Sequence, residues 1–262
     1  MIKAAFFDVD GTLVSFQLGV VTDRLHADLL ALRDRGLLLF LATGRSRQDL
    51  ARTGMLRDLR FDAYVTLNGH CCYNDQGVYL DRPICRGDLE GACKVLRARP
   101  ELAALMASDG ESYVSQLNGR ALEIFSYMHT PPYPVRPPEW MLERKIYQFI
   151  PLVEAGEEAL FLDVMPHCTY TRWHPKGVDI IPAGEGKAEG IRATLEAYGL
   201  KREEIVAFGD GGNDLSMLAL AGTSVAMGNA VQAVKDQADY VTDTVEADGV
   251  SKALRHLGLL PG

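Results

Sequence analysis

At both ends of this chain, short apolar runs stop abruptly at acidic or glycine-rich residues and hand over to helical patterns. That recurrence constrains the fold more than any other feature. Ile2 to Phe7 is unbroken and apolar, as a strand buried on both faces of a parallel sheet must be, and it stops at Asp8. Thr22 can cap the helix that follows, where Leu25, Leu29 and Leu32 share one face, and Gly36 can close it. Leu37 to Ala42 reads as the next strand, Ser46 opens a polar helix, and Ala63 to Leu67 is a third strand ending at Asn68-Gly69. The rhythm returns near the C-terminus, with a helix over Lys187 to Tyr198, a strand from Ile205 to Phe208 and a short helix around Leu215 to Leu220. A strand at Ser224 to Met227, a helix over Val231 to Ala238, a short strand at Tyr240 to Thr242 and a helix at Val250 to Leu257 complete it. Such alternation predicts an α/β fold with a doubly wound, Rossmann-like parallel sheet.

Between about Arg82 and Ala183 the alternation breaks. Pro131, Pro132, Pro134, Pro137 and Pro138 cannot continue a helix or a central strand. Helical patterns at Asp88 to Arg99 and Gly119 to Met128 mix with strand patterns at Ile146 to Val153, Cys168 to Trp173 and Val178 to Ile181. This predicts an α+β domain, residues 83–183, inserted into a core formed by 1–82 and 184–262. A length of 262 residues accommodates both.

Lys+Arg 27 against Asp+Glu 35 gives a formal net charge of −8, which argues against nucleic acid or an anionic membrane as partner. No stretch approaches the ~20 apolar residues of a membrane helix, and the apolar N-terminal run is too short for a secretory signal. Cys71, Cys72, Cys85, Cys93 and Cys168 have no C-x-x-C spacing and no nearby histidine pair to complete a zinc tetrahedron, so they read as reduced thiols. The expected location is the cytoplasm; oligomeric state is not legible.

Four constellations carry chemistry. Asp8-Val9-Asp10-Gly11-Thr12-Leu13 sits where a buried strand ends, which is where open α/β sheets bind ligands. Gly11 lets the chain bend so that one carboxylate can attack while the other moves protons; the competing reading is an acidic loop that caps a helix. Thr43-Gly44-Arg45 presents a hydroxyl, an unobstructed N–H and a guanidinium, donors suited to an anionic oxygen cluster, although an ordinary helix cap has the same letters. Lys187 follows Gly184-Glu185-Gly186 as a point charge for phosphate or as an ordinary surface lysine. Gly209-Asp210-Gly211-Gly212-Asn213-Asp214 leaves another buried strand, and its carboxylates together with Asp8 form a hard-oxygen set suited to Mg²⁺. A dinucleotide fingerprint starting at Gly209 would need glycine in place of Asp214. A P-loop ending at Lys187 would need glycine at Ile181 and Ser or Thr at Ala188.

In this order, with Thr66-Leu67-Asn68-Gly69 and the insertion between the second and third motifs, the chain resembles the haloacid dehalogenase-like (HAD) superfamily. Within it, the chain is similar to the Cof-type sugar-phosphate phosphatases with an α/β cap. The resemblance implies a phosphoric monoester hydrolase working through an aspartyl-phosphate, with Asp8 as nucleophile and Asp10 as general acid/base. It implies Mg²⁺ held by the Asp8 carboxylate, the Asp10 main-chain carbonyl and the Asp210 carboxylate. Thr43, Gly44, Arg45, Lys187 and Asn213 would bind phosphate, with Asp214 and Asn68 behind them. The implied substrate is a small phosphorylated metabolite. The alternatives are a phosphotransferase or mutase on the same fold, a phosphatase for a nucleotide, flavin-type or pyridoxal phosphate, and a non-catalytic regulator. Arg172 and Trp173 in the insertion are candidate specificity residues, equally readable as packing groups.

Overall fold

The computed structural model describes residues 1–108, 110–128 and 130–261. In chain order the elements are β1 (Ala4–Phe7), α1 (Asp23–Asp34), β2 (Leu38–Ala42), α2 (Arg47–Thr53), β3 (Ala63–Thr66), β4 (Cys71–Asn74), β5 (Gly77–Asp81) and α3 (Arg86–Ala98). There follow β6 (Ala104–Ala107), β7 (Tyr113–Val114), α4 (Gly119–Tyr127), β8 (Gln148–Pro151), α5 (Ala159–Leu162), β9 (Cys168–His174) and β10 (Gly177–Pro182). The chain ends with α6 (Lys187–Tyr198), β11 (Ile205–Gly209), α7 (Leu215–Leu220), β12 (Thr223–Ala226), α8 (Gln232–Lys235), β13 (Tyr240–Val241) and α9 (Gly249–His256). The chain divides into two compact units. One comprises residues 1–45, 49–81 and those from 185 onward, and the other Ser46–Gln48 with Arg82–Gly184. Among the described residues, no helix is long and apolar enough to cross a membrane.

The first unit is built on an eight-stranded sheet ordered β13-β12-β11-β1-β2-β3-β4-β5, parallel from β13 to β3. Strand alternation explains its two-sided burial. Ala5 and Phe7 pack with Leu25, Leu29 and Leu32 of α1 and Leu254 of α9. Ala4 and Phe6 pack with Ile191 of α6 and Met217 and Leu218 of α7 on the other face. Because β1 is flanked by β2 and β11, the chain reverses its winding there. The C-terminal ends of these three strands are adjacent, the position at which a doubly wound sheet leaves its ligand crevice.

The antiparallel hairpin β4–β5 at the sheet edge departs from the purely parallel sheet expected from the sequence. Its first strand is Cys-Cys-Tyr-Asn, too short to display a period, and its turn is set locally: Asn74 Oδ1 accepts from Gln76 N at 2.9 Å and Gly77 has φ +127°. Pairing of β4 with the exposed edge of β3 creates it, a tertiary event with no local signature.

The second unit has a five-stranded antiparallel sheet, β7-β6-β8-β10-β9. Leu89, Cys93 and Leu96 of α3 and Phe161 of α5 cover one face; Ile124 and Phe125 of α4 cover the other. Strands β6 and β7 do not stand out in the sequence, since Ala-Leu-Met-Ala favours helix as much as strand and becomes a strand by pairing with β8. The proline cluster contributes an isolated bridge, Val135 to Val114, in keeping with its confinement to an edge.

Candidate active site

The turn after β1 is held by Val9, whose carbonyl accepts from Leu13 N at 3.0 Å and Val14 N at 2.8 Å. Gly11 has φ +87°, and a Cβ there would lie 2.2 Å from Asp210 Oδ2, so only glycine fits. Asp8 N donates to the Phe208 carbonyl at 3.0 Å, which places the Asp8 carboxylate at the mouth of β1 beside the exit of β11.

Three of the expected residues form one buried ionic cluster. Lys187 Nζ donates to Asp8 Oδ1 and to Asp214 Oδ1, each at 2.6 Å, and the lysine is fully buried. Lys187 opens α6, the end of a helix where the macrodipole disfavours a cation, and the two carboxylates offset both that and the loss of water. A close backbone approach delivers it: a Cβ on Gly69, φ +91°, would lie 2.3 Å from the Gly186 carbonyl. Asp214 is committed on both oxygens, since its Oδ2 also accepts from Asp210 N and Gly211 N at 2.9 Å each. It shapes the turn that carries Asp210 and anchors Lys187.

Asp8, Asp210 and Asp214 can bring carboxylate oxygens within 4.8 Å of one another, a group that could hold a metal ion. Burial, then the neighbouring Asp214, push the Asp8 carboxyl well above its ordinary range, against the pull of Lys187. Burial and Asp214 likewise push Asp210 up to about 7, with the Thr12 hydroxyl and Lys187 opposing. For Lys187 burial acts downward, but Asp214 and Asp8 outweigh it and hold the ammonium above its ordinary value. Burial sets the two carboxyl shifts, and the crowding of carboxylates adds to both and holds the lysine charged. Four carboxylates, Asp8, Asp10, Asp210 and Asp214, face Lys187 and Arg45, so a divalent cation with a preference for hard oxygen donors fits both the charge and the donor set.

Arg45 and Asp10 meet directly. Arg45 Nε donates to Asp10 Oδ2 and a terminal nitrogen to Asp10 Oδ1, both at 2.6 Å, a bidentate clamp. Arg45 N donates to Thr43 Oγ1 at 3.1 Å, and the Thr43 carbonyl accepts from Asn68 N at 3.0 Å. Asn68 follows Leu67, and both have left-handed φ, 55° and 54°. This tight turn carries Asn68 Oδ1 to Asn213 Nδ2 at 3.0 Å and to 3.3 Å from where a Gly44 Cβ would stand. Thr43, Gly44, Arg45, Asn68 and Asn213 are thus one linked group.

Two further side chains join the site. Thr12 Oγ1 donates to Asp210 Oδ1 at 3.1 Å, and Asn229 Nδ2 donates to the Gly11 carbonyl at 2.9 Å and to Asp210 Oδ2 at 3.3 Å. Asn229 follows β12, the strand next to β11, so the strand-end rule that selects the other motifs also points to it. Arg172 and Trp173 lie in the second unit. Arg172 donates to the carbonyls of Val153, Glu154, His174 and Pro175 and to Glu158 Oε2 at 2.7 Å. Its guanidinium staples its own unit together. Trp173 Nε1 donates to Asp179 Oδ1 at 2.8 Å, and its ring lies with Tyr127 and His174 in an aromatic group that Tyr127 leaves partly open to solvent.

The model of the haloacid dehalogenase-like hydrolases matches residues 5–254. The chain belongs to that family. Within the HAD hydrolases it is of the Cof type. A solved structure of the HAD subclass IIB sugar phosphatase BT4131 is 33% identical, with TM-score 0.85 over 98% of this chain and 100% of that one. BT1666 from Bacteroides thetaiotaomicron, a phosphatase of the HAD superfamily, is 34% identical, with TM-score 0.89 over 99% and 96% of the two chains. The pyridoxal phosphate phosphatase YbhA of Escherichia coli (strain K12) is 28% identical over 94% of each chain. This HAD hydrolase is a phosphatase.

Proposed function

We propose that this HAD phosphatase hydrolyses small phosphate monoesters, sugar phosphates foremost, with Asp8 as nucleophile. The buried Lys187–Asp8–Asp214 cluster beside Asp210 carries the reading. It holds an attacking carboxylate at a strand end in a setting where an added dianion finds cationic partners. The Asp8 and Asp210 carboxylates and the Asp10 carbonyl would hold Mg²⁺, which would supply the positive charge that lets a carboxylate approach a phosphate dianion. Lys187 fixes Asp8 Oδ1 and stabilises charge developing on the phosphoryl group. Thr43, Gly44 and Asn213, linked through Asn68, contribute neutral donors.

Asp10 moves the proton. It gives one to the leaving alkoxide as the Asp8–phosphorus bond forms, then takes one from the water that hydrolyses the aspartyl-phosphate. Arg45 holds both of its oxygens, so an arriving phosphate that draws Arg45 onto itself releases Asp10 for this task as the substrate binds. The inserted residues 83–183 act as a cap that selects the ester, and the Trp173–Tyr127–His174 group is its aromatic reading surface.

The sugar preference rests on likeness to BT4131. A panel of sugar, nucleotide and pyridoxal phosphates assayed for phosphate release tests it. Sugar phosphates should show the highest kcat/KM, EDTA should stop turnover and Mg²⁺ restore it. Transfer of phosphate to a second sugar in place of release, or a preference for pyridoxal phosphate, would overturn the reading.

A further inference from the structure

The second unit gathers a set of ligands that the sequence keeps apart. Cys85 stands immediately before α3, Asp88 lies in its first turn, and His167 and Cys168 stand at the start of β9, some eighty positions later. The Cys85 Sγ lies 3.7 Å from His167 Nδ1, which lies 3.0 Å from Asp88 Oδ1. The other oxygen, Asp88 Oδ2, accepts from Cys168 Sγ at 3.3 Å and from His167 N at 3.1 Å. Asp88 is buried, with 2% exposure, whereas Cys85 and His167 are open to solvent. Cys85, Asp88 and His167 can bring one donor atom each within 4.8 Å of one another.

We propose that Cys85 Sγ, Asp88 Oδ1 and His167 Nδ1 form a binding site for a zinc-like divalent cation, with a fourth position open to water. The spacing supports it: a tetrahedral ion with bonds of about 2.3 Å to sulfur and about 2.0 Å to nitrogen separates those two donors by about 3.5 Å. One thiolate, one imidazole and one carboxylate suit zinc and disfavour magnesium. Binding releases the Cys85 thiol proton to solvent, leaves the His167 ring proton on Nε2 so that the Nδ1 lone pair meets the ion in place of the hydrogen bond to Asp88 Oδ1, and neutralises the ion with the thiolate and carboxylate. Cys168 and the His167 N–H hold Asp88 Oδ2 and so aim Oδ1 at the ion, the orienting role that partners of metal ligands commonly play.

Position gives the site a purpose. Cys85 lies three residues beyond Arg82, where the chain enters this unit, and the His167 carbonyl accepts from Ala183 N at 2.8 Å, next to where it leaves at Gly184. An ion here braces entry and exit against each other. Its three donors all belong to the second unit, whereas Asp8 and Asp210 belong to the first.

Cobalt titration of the reduced, full-length protein tests the site, because thiolate-to-cobalt charge transfer cannot arise from the all-oxygen Asp8 and Asp210 donors. One equivalent should produce that band, and zinc should bleach it. Cys85→Ser should abolish the band, and His167→Ala should weaken cobalt binding at least about 10-fold. Cys93→Ser, in the core of the same unit, should leave the band unchanged. Since Cys85 is exposed, Cys85→Ser should keep the metal-free melting temperature, whereas His167→Ala, which also removes a hydrogen bond to the buried Asp88, should lower it modestly; both variants should keep the Mg²⁺-dependent phosphatase rate. Absence of the band in the native protein, or its survival in Cys85→Ser, would overturn the proposal.

Discussion

Asp8 in the first unit and Asp88 in the second are both buried carboxylates within reach of possible metal-binding partners, yet their proton affinities move in opposite directions. Asp8 is raised because it is deeply buried and Asp214, Asp210 and Asp10 crowd it with like charge. Asp88 feels the upward push of burial as well, but lies beneath exposed side chains, and donation from His167 and Cys168 holds it below its ordinary range. The direction for a buried carboxylate thus follows the company it keeps as much as its depth. The first cluster stores a charge conflict that a divalent cation can relieve; the second holds an ionised ligand among hydrogen-bond donors.

The largest effect that could break this contrast is Asp8→Asn. Turnover should fall on the order of a thousandfold or more, with the melting temperature held, because the amide keeps the shape and loses the nucleophile. Phosphate release above a few per cent of native would show that the conflict at Asp8 has no chemical use.

Next is Lys187→Met, which keeps the volume but leaves Asp8 and Asp214 buried without their cation. Urea unfolding should show a loss of about 3–5 kcal/mol, as for other buried pairs stripped of one partner. A loss below about 1 kcal/mol would mean that the cluster relaxes by taking up protons.

Proton uptake also predicts a pH dependence. Asp8 and Asp210 hold protons more tightly in the native protein than in the unfolded chain, so their contribution to stability is full below the unfolded value of about 4. It is lost as pH rises through the native value, about 7 for Asp210. Without metal, the melting temperature should therefore decline between about pH 4 and 7 from this source. Mg²⁺ must displace the same proton, so its apparent affinity should climb by up to about 10-fold per pH unit below 7 and level off above. Calorimetric titrations at pH 6, 7 and 8 check this, and a flat affinity would remove Asp210 as a ligand.

The smallest expected effect sharpens the view of the second unit. Arg172→Ala should destabilise by about 1–2 kcal/mol through its lost bonds to carbonyls and Glu158, and lower kcat/KM for a sugar phosphate and for p-nitrophenyl phosphate alike. Trp173→Ala should instead lower the sugar phosphate value selectively, by about 5-fold or more. A selective loss with Arg172→Ala would mean that its staple opens to substrate.

Elements with a strong local signal were legible in the sequence. Thr22 does cap α1, its side chain accepting from Leu25 N, while α6 and α7 run over the expected residues, because capping and 3.6-residue periodicity act within a few turns of chain. The helix expected over Val231 to Ala238 is the shorter α8, since only Gln232–Lys235 completes helical hydrogen bonding. The hairpin β4–β5 and strands β6 and β7 were not legible, for their identity comes from the strand they pair with.

By itself the sequence determined that strands ending in Asp8, Thr43 and Asp210 belong to one parallel sheet, because buried parallel strands need continuous apolar runs and their ends need polar residues. It also named most of the side chains that meet there. Only the tertiary structure decided which charge answers which. It set Lys187 between Asp8 and Asp214, clamped Asp10 with Arg45, added Asn229 and Thr12 around Asp210, and drew Cys85 and Asp88 to His167. Those pairings join residues tens to hundreds of positions apart. Local propensity acts over a few residues, whereas Coulombic attraction and hydrogen bonding act over a few ångströms, and only the fold turns one kind of distance into the other.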